Sequence, residues 1–372
     1  MASPSDHRPA GNYQLIGAEA SYYTGKVRGY LRYKGIPFTE HLATRDMYEN
    51  MILPKTGKRM IPVLVTPDGE ALQDTSRIID ALEEKHAGHP VYPDTELQRL
   101  ISLLLEIFGD EWLLIPAMHY RWTYCQDFAA EEFGKAAAPH ETPEKQKVMG
   151  TKTAEYFARA ATTIGISPET ADGIEGAYLH FLKALDTHFA EHKFLLGDRP
   201  TIGDFGFFGP LYAHLYRDPY PGQIMQEYAP NVVSWVESMR DGDFESGALL
   251  ANDAVPQTLA PILAMMATDH LPVVQDTQAR FEQWVTEHQD QNLPRSIGVH
   301  RFTFGTAVGE RSVFPYLLWM WQRASDAYVG MSPEGRSRTD EALGPEFTDM
   351  LMAKPIWRLE YKGYELAVLP LP

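Results

Sequence analysis

A single cysteine, Cys125, stands among 372 residues. That excludes an intramolecular disulfide, a cysteine-based metal cluster and a CxxC redox couple. Any thiol chemistry must therefore use a thiol brought in from outside. No uninterrupted apolar run approaches the ~18 residues expected of a membrane span, and the start, Met1 to Asn12, is polar without an apolar signal core. The expectation is a cytoplasmic protein with no membrane span. Positive charge is also scarce: 33 Lys and Arg face 50 Asp and Glu, a formal charge of −17, which argues against nucleic acid as a partner. A small anionic ligand stays open, because a pocket answers to local groups such as Lys55, Lys58 and Arg59. Despite 13 histidines there is no HExxH and no close His/Cys cluster, so no metal site is expected. No GxSxG elbow surrounds Ser21, which removes the serine-hydrolase reading.

What is present is ordinary for a folded chain, with 44% hydrophobic and 22% charged residues and enough length for two or three domains. Residues 13–17 read as a short strand, and Val27, Tyr30 and Leu31 then recur at helical spacing until Gly35 and Pro37 stop the helix. Phe38 to Leu42 can form a second strand, its pattern weakened by Glu40 and His41. Ile61 to Leu72, with Pro67-Asp68-Gly69 between its halves, reads as a hairpin, and Ile78, Ile79 and Leu82 mark a helix ending near 86–90. The order is βαβ, a loop, then ββα. Past the Pro-rich stretch 90–93 the pattern becomes helical: Thr95 to about Tyr124, then 144–164, 168–191, 202–216 and 229–240, with 129–143 left as a loop or frayed helix. A second break falls near 241–257. Beyond it, 256–267 and 274–288 read as helices, Val299 to Phe304 as a strand, Arg311 to Tyr328 as a helix, and Trp357 to Val368 as a closing hairpin. The expected units are 12–89, 94–245 and 250–372.

Three segments of the first ninety residues carry chemistry. Ser21-Tyr22-Tyr23-Thr24-Gly25-Lys26-Val27-Arg28 follows a strand and opens a helix, where a hydroxyl, free N–H groups and the helix dipole together favour a thiolate. By itself Ser21 is equally a plain N-cap. Gly57-Lys58-Arg59-Met60-Ile61-Pro62-Val63-Leu64 brings a proline to the start of a strand. Gln73-Asp74-Thr75 opens the next helix, where free N–H groups and the Thr75 hydroxyl suit a carboxylate and Asp74 suits an ammonium, although either residue read alone is a helix cap.

Taken in order, these segments resemble the glutathione S-transferase family, whose stretches are Ser/Cys-Pro-x-Ser/Cys-x-Lys-Val-Arg, Gly-Lys-Val-Pro-x-Leu and Glu/Asp-Ser-x-x-Ile. A fourth, Leu196-Gly197-Asp198-Arg199-Pro200-Thr201-Ile202-Gly203-Asp204, is similar to the family's element that starts a buried helix, with Thr201 and Asp204 as a reciprocal cap. The resemblance covers about 13–245. It implies an N-terminal thioredoxin-like βαβ-ββα domain (α+β), an all-helical bundle and, outside the resemblance, an extension of mixed helix and hairpin. It implies glutathione as co-substrate, held by Lys58, by the Ile61 backbone exposed before a cis Pro62, and by Asp74 and Thr75. Ser21 is the implied thiolate donor, with Tyr22 and Tyr23 as alternatives and Thr24 behind them. A cysteine at 21 is lacking, which argues against mixed-disulfide chemistry. A homodimer is the implied assembly and detoxification the implied role.

In that family the electrophile packs above the glutathione sulfur against the first long helix of the bundle. Here that helix carries Glu111, Trp112, Pro116, His119, Tyr120, Trp122 and Tyr124. Trp112, Pro116 and His119 recur at about one turn and are the expected pocket for a small hydrophobic electrophile; core packing with a satisfied histidine is the alternative. His300, Arg301, Trp319 and Trp321 are candidates to close it. The expected activity is activation of the glutathione thiol for attack on that electrophile. The competing reading is a non-catalytic binding or assembly module whose working surface is the extension, to which its residues alone assign no function.

Overall fold

The computed structural model describes residues 11–242, 244, 247–288, 291–353 and 355–370. Residues 1–10 of the polar start and 371–372 of the extension lie outside the described residues.

Strand β1 (Tyr13–Gly17) leads into α1 (Tyr22–Tyr33), and β2 (Phe38–Leu42) returns parallel to β1. A helical segment over 45–56 follows, where the sequence showed only a loop, because it is broken into short turns and only Ile52 of its apolar residues is fully buried. β3 (Val63–Val65), β4 (Ala71–Gln73) and α2 (Thr75–Lys85) complete the unit. The sheet order is β2-β1-β3-β4, with β3 antiparallel to both neighbours, which is the thioredoxin-like arrangement. Alternation assigns the faces. Leu15 and Leu64 point into the main core with Val27, Tyr30, Ile78 and Ile79, while Ile16, Val63 and Val65 pack on the other face with Ile52. β2 is an edge strand, and its Glu40 is held by Arg28 through Nε and Nη2 at 2.7 and 2.6 Å, which explains its weak sequence pattern.

The helical part begins with α3 (Glu96–Ile107), a π-helical turn over Phe108–Trp112, and α4 (Leu114–Tyr124). A π turn inserts one residue into the helical ladder and rotates the faces that follow it. α5 (Gln126–Ala137) is a formed helix where the sequence left a loop or frayed helix, paired with α6 (Pro143–Ala161). α7 (Ala171–Glu191), α8 (Ile202–Pro210), α9 (Pro219–Tyr228) and α10 (Pro230–Asp241) complete the bundle. The π turn after α3 crosses α8 at Gly109 and Gly206, where a Cβ on Gly109 would overlap the backbone of Gly206. Asp204 opens α8, accepting from Thr201 N at 2.8 Å and Leu195 N at 2.9 Å.

The extension contains α11 (Leu271–Glu287), a hairpin of β5 (Val299–Phe304) and β6 (Ala307–Ser312), α12 (Tyr316–Val329), α13 (Pro333–Leu343), α14 (Pro345–Met352) and a closing hairpin of β7 (Trp357–Lys362) and β8 (Glu365–Pro370). The helix expected from Arg311 starts only at Tyr316: Arg311 and Ser312 finish the strand paired with Val299 and His300, and Pro315 precedes the first turn. The core is continuous. Leu317, Met320, Trp321 and Leu359 of the extension join the cluster that holds Leu15, Val27, Leu104 and Phe205.

Candidate active site

The strand registers gather the three N-terminal segments at one end of the sheet. Ile16, next to the last residue of β1, pairs with Val63 at the start of β3, and Val63 pairs with Gln73 at the end of β4. The turn to Ser21, the Ile61-Pro62 peptide and the Gln73-Asp74-Thr75 corner therefore share an edge. Gln73 ties two of them, its Nε2 donating to the Met60 carbonyl at 2.8 Å. Gly17 allows the third to close up, since a Cβ there would collide with the Thr24 side chain. From the helical part, Arg121 donates to the Ala20 carbonyl at 2.9 Å while its Nε and Nη2 grip Asp218 at 2.7 and 2.6 Å, fixing the approach to Ser21.

Ser21 is half-buried and caps α1, its Oγ accepting from Thr24 N at 3.3 Å. As an acceptor it still holds its own proton for donation. The tyrosines are committed elsewhere: Tyr22 donates to the Gly109 carbonyl and Tyr23 to the Asp110 carbonyl, the latter at 3.2 Å. Burial, then neighbouring Tyr23 for Tyr22 and Glu111 for Tyr23, pushes both phenols well above their ordinary range. They are neutral fasteners between sheet and bundle.

The peptide before Pro62 is cis. Thr75 is buried at the first turn of α2, and Asp74 caps that helix with Oδ1 on Arg77 N at 3.1 Å. Asp74 has φ 77°, in the region that favours glycine. Its other oxygen, Oδ2, accepts from two tyrosines of the extension, Tyr316 at 2.7 Å and Tyr361 at 3.4 Å. Lys58 Nζ faces the Glu365 carboxylate at 3.0 Å. Arg77 Nη1 donates to the Gly363 carbonyl at 2.9 Å, with its guanidinium 4.2 Å from the Tyr361 ring centre, and Tyr364 donates to the Ala71 carbonyl at 2.7 Å. The closing hairpin thus lies directly over this edge.

The expected electrophile pocket is packed. Trp112 is 1% exposed, stacked on His270 and Phe304 with ring centres 5.1 and 5.0 Å away, and Arg311 lies 5.6 Å from its ring. Pro116 is buried, and His119 is fully buried with Nε2 2.8 Å from Glu175. Trp112 thus faces the extension and His119 faces α7. Of the closing candidates, His300 turns inward with Nδ1 2.7 Å from Asp276, Arg301 is exposed, and Trp321 is core. Trp319 lines a surface depression of about 270 Å³ with Arg77, Arg323, Arg358 and Tyr361.

Two acidic features were missed from sequence. Glu111 is half-buried beside Tyr23, Arg311 and Tyr316. Burial, then neighbouring Asp110, pushes its carboxyl up to about 8, against Arg311 and Arg295. Beneath it, Lys26 Nζ bridges Glu106 at 2.7 Å and Asp110 at 2.5 Å. Arg323 of the extension reaches Glu106 at 2.6 Å and Asp80 at 3.0 Å. Burial alone would raise Glu106, but Arg323 and Lys26 more than offset it and hold its carboxyl below the usual range. The signal for this cluster is three-dimensional: Lys26, Ser76, Glu106 and Arg323 are far apart in the chain.

Comparison with known proteins adds the family. Residues 15–90 match the family model described as Glutathione S-transferase, N-terminal domain, and residues 168–238 the one described as Glutathione S-transferase, C-terminal domain. No curated protein sequence matches significantly. Among solved structures, a glutathione S-transferase from Methylobacterium radiotolerans in complex with glutathione sulfonate is similar at 17% identity, over 66% of this chain and 100% of that one, with a TM-score of 0.38. A beta-etherase from a Sphingobium strain is similar at 16% identity, over 63% of this chain and 100% of that one, with a TM-score of 0.46. A glutathione transferase from Phanerochaete chrysosporium in complex with oxidized glutathione is similar at 13% identity, over 62% of this chain and 92% of that one, with a TM-score of 0.38.

Proposed function

We propose that this chain, whose residues 15–90 and 168–238 match the N- and C-terminal domain models of the glutathione S-transferases, is an enzyme of that family that activates the glutathione thiol for attack on a hydrophobic electrophile. The observation that carries this reading is the shared edge of Ser21, the Ile61-Pro62 peptide and the Asp74-Thr75 corner, built by the β1, β3 and β4 registers. Glutathione binds there in extended form, its backbone against Ile61, its γ-glutamyl carboxylate at the α2 N-terminus on Thr75, its ammonium toward Asp74 and its glycyl carboxylate toward Lys58. Ser21 Oγ–H donates to the sulfur, and the free N–H end of α1 adds positive potential, so the thiol loses its proton to water. The thiolate then forms the C–S bond with the electrophile, whose leaving group departs with the bonding pair. Activation is by a lowered pKa rather than by a strong base. Conjugation, reductive dehalogenation, ether cleavage and isomerisation share this first step.

Burial of the apolar residues of α12 in the common core supports the enzyme reading over a module whose extension is an exposed binding face. A cytoplasmic homodimer in a detoxifying role completes the proposal, with light scattering after size exclusion as the check on the dimer. The decisive measurement is calorimetric titration with glutathione joined to a thiolate absorbance titration. A hydrogen bond to a charged group contributes about 1.5–3 kcal/mol, so Ser21→Ala raises the bound thiol pKa by about one to two pH units. Absence of binding at millimolar glutathione sinks the reading. An unchanged thiol pKa in Ser21→Ala removes Ser21 from its role.

A further inference from the structure

We infer that the tip of the closing hairpin is a built-in competitor of glutathione, latched on Lys58 through Glu365 and reaching Asp74 through Tyr361, beside a second tyrosine, Tyr316, that α12 holds on the same carboxylate. This rests on the glutathione reading of the Ser21 edge and adds its regulation. At each charged anchor the extension presents a group of the chemistry expected from the ligand. Lys58, expected to meet a carboxylate, meets the Glu365 carboxylate at 3.0 Å. Asp74, expected to meet an ammonium, has one oxygen on the Arg77 amide and the other accepting from Tyr316 and Tyr361. Both of these Oδ2 contacts are tyrosine hydroxyls, so an arriving ammonium competes with them for that oxygen. Ser21, by contrast, has no bond to the extension among the described residues, so the latch covers the charged ends of the ligand's place and spares the sulfur end.

The hairpin is built to lift at its tip. Its base is fixed: Leu359 is 1% exposed, and the Gln322 side chain takes both its backbone groups, donating to the carbonyl at 2.9 Å and accepting from the amide at 2.7 Å. The tip turns at Gly363, φ 63°, and its hold on the sheet is polar and near water: Arg77 to the Gly363 carbonyl, Tyr364 to the Ala71 carbonyl, and an ion pair whose Glu365 side chain is 72% exposed. Contacts of this kind exchange readily for water and are drawn from the low-stability end of a structure. A tip closed about nine parts in ten raises the apparent Kd for glutathione about tenfold, and opening it returns that factor.

The test uses the full chain. Glutathione is titrated calorimetrically into wild type, into Tyr364→Phe, which changes no charge, and into Tyr364→Phe/Glu365→Gln; amide hydrogen exchange of 361–366 is followed with and without saturating glutathione. The expected result is a Kd lower by about threefold in the single variant and about tenfold in the double, with faster exchange at the tip when glutathione is bound. Equal or weaker binding by the variants, or slower tip exchange with glutathione, overturns the latch and makes the hairpin part of the bound site. No binding by any of the three proteins overturns the glutathione reading itself, and the latch with it. Both substitutions lie on partly exposed side chains, and the thermal midpoint of each variant verifies folding.

Discussion

Replacing Arg323 by methionine removes a guanidinium that joins the extension to both other parts of the molecule. Its Nη1 donates to Glu106 at 2.6 Å, and its Nη2 donates to Asp80 at 3.0 Å and to the Tyr92 hydroxyl at 2.7 Å. Glu106 is fully buried and Arg323 is 16% exposed at the side chain. Removing one member of a buried pair typically destabilises by 3–5 kcal/mol because the other charge is left without compensation. Here Lys26 and Ser76 still hold Glu106 Oε1 at 2.7 Å each, which places the loss at the lower end, about 3 kcal/mol. With an unfolding entropy of ~2.1 cal/mol/K per residue over 372 residues, that is a fall in the thermal midpoint of about 4 °C. Arg323→Lys keeps the charge but not the fork and falls between the two. Differential scanning calorimetry at pH 7 is the assay. A midpoint for Arg323→Met equal to or above wild type would refute the reasoning, since the methionine would then have replaced a charge whose desolvation was never repaid.

Two further outcomes follow from buried carboxyls. Glu111 has a folded-state pKa of about 8, above an unfolded value near 4.3, so the folded state holds its proton more tightly; its contribution to stability is fully present below pH ~4.3 and is lost as pH rises to about 8. Glu111→Gln removes that decline, and thermal midpoints between pH 5 and 9 that fall equally steeply in both proteins would refute the assignment. Asp204→Ala strands the buried amides of Thr201 and Leu195, for a loss of about 3 kcal/mol, read as a lower urea midpoint at unchanged m-value.

The elements that were legible in the sequence are those whose signal is local. Val27, Tyr30 and Leu31 announce α1, and alternation and turn residues announce the β3–β4 hairpin, β5 and the closing hairpin. The cap at Ser21, the cap at Asp74 and the Thr201–Asp204 box are side-chain to backbone bonds within three residues, so spacing alone suffices to read them. β6 escaped because Gly309, Glu310 and Arg311 carry no apolar alternation; its inward Arg311 packs on Trp112 and Phe302 instead. α13 escaped because its polar sequence buries only Gly335 and Thr339, and α14 because its eight residues are too short a run for helical periodicity to stand out, although it buries Phe347, Met350 and Leu351. The partners of Asp74 and Lys58 lie 242 to 307 residues further along the chain, beyond any reading of periodicity.

The same Arg323 has a consequence for how the protein is made. Synthesis delivers Lys26, Ser76 and Glu106 early and Arg323 roughly 200 residues later, at ~5–20 residues per second a delay of about ten to forty seconds. Until then Lys26 is the one cation of the pair available to Glu106, so the contact that completes its charge balance forms only once residue 323 has been made.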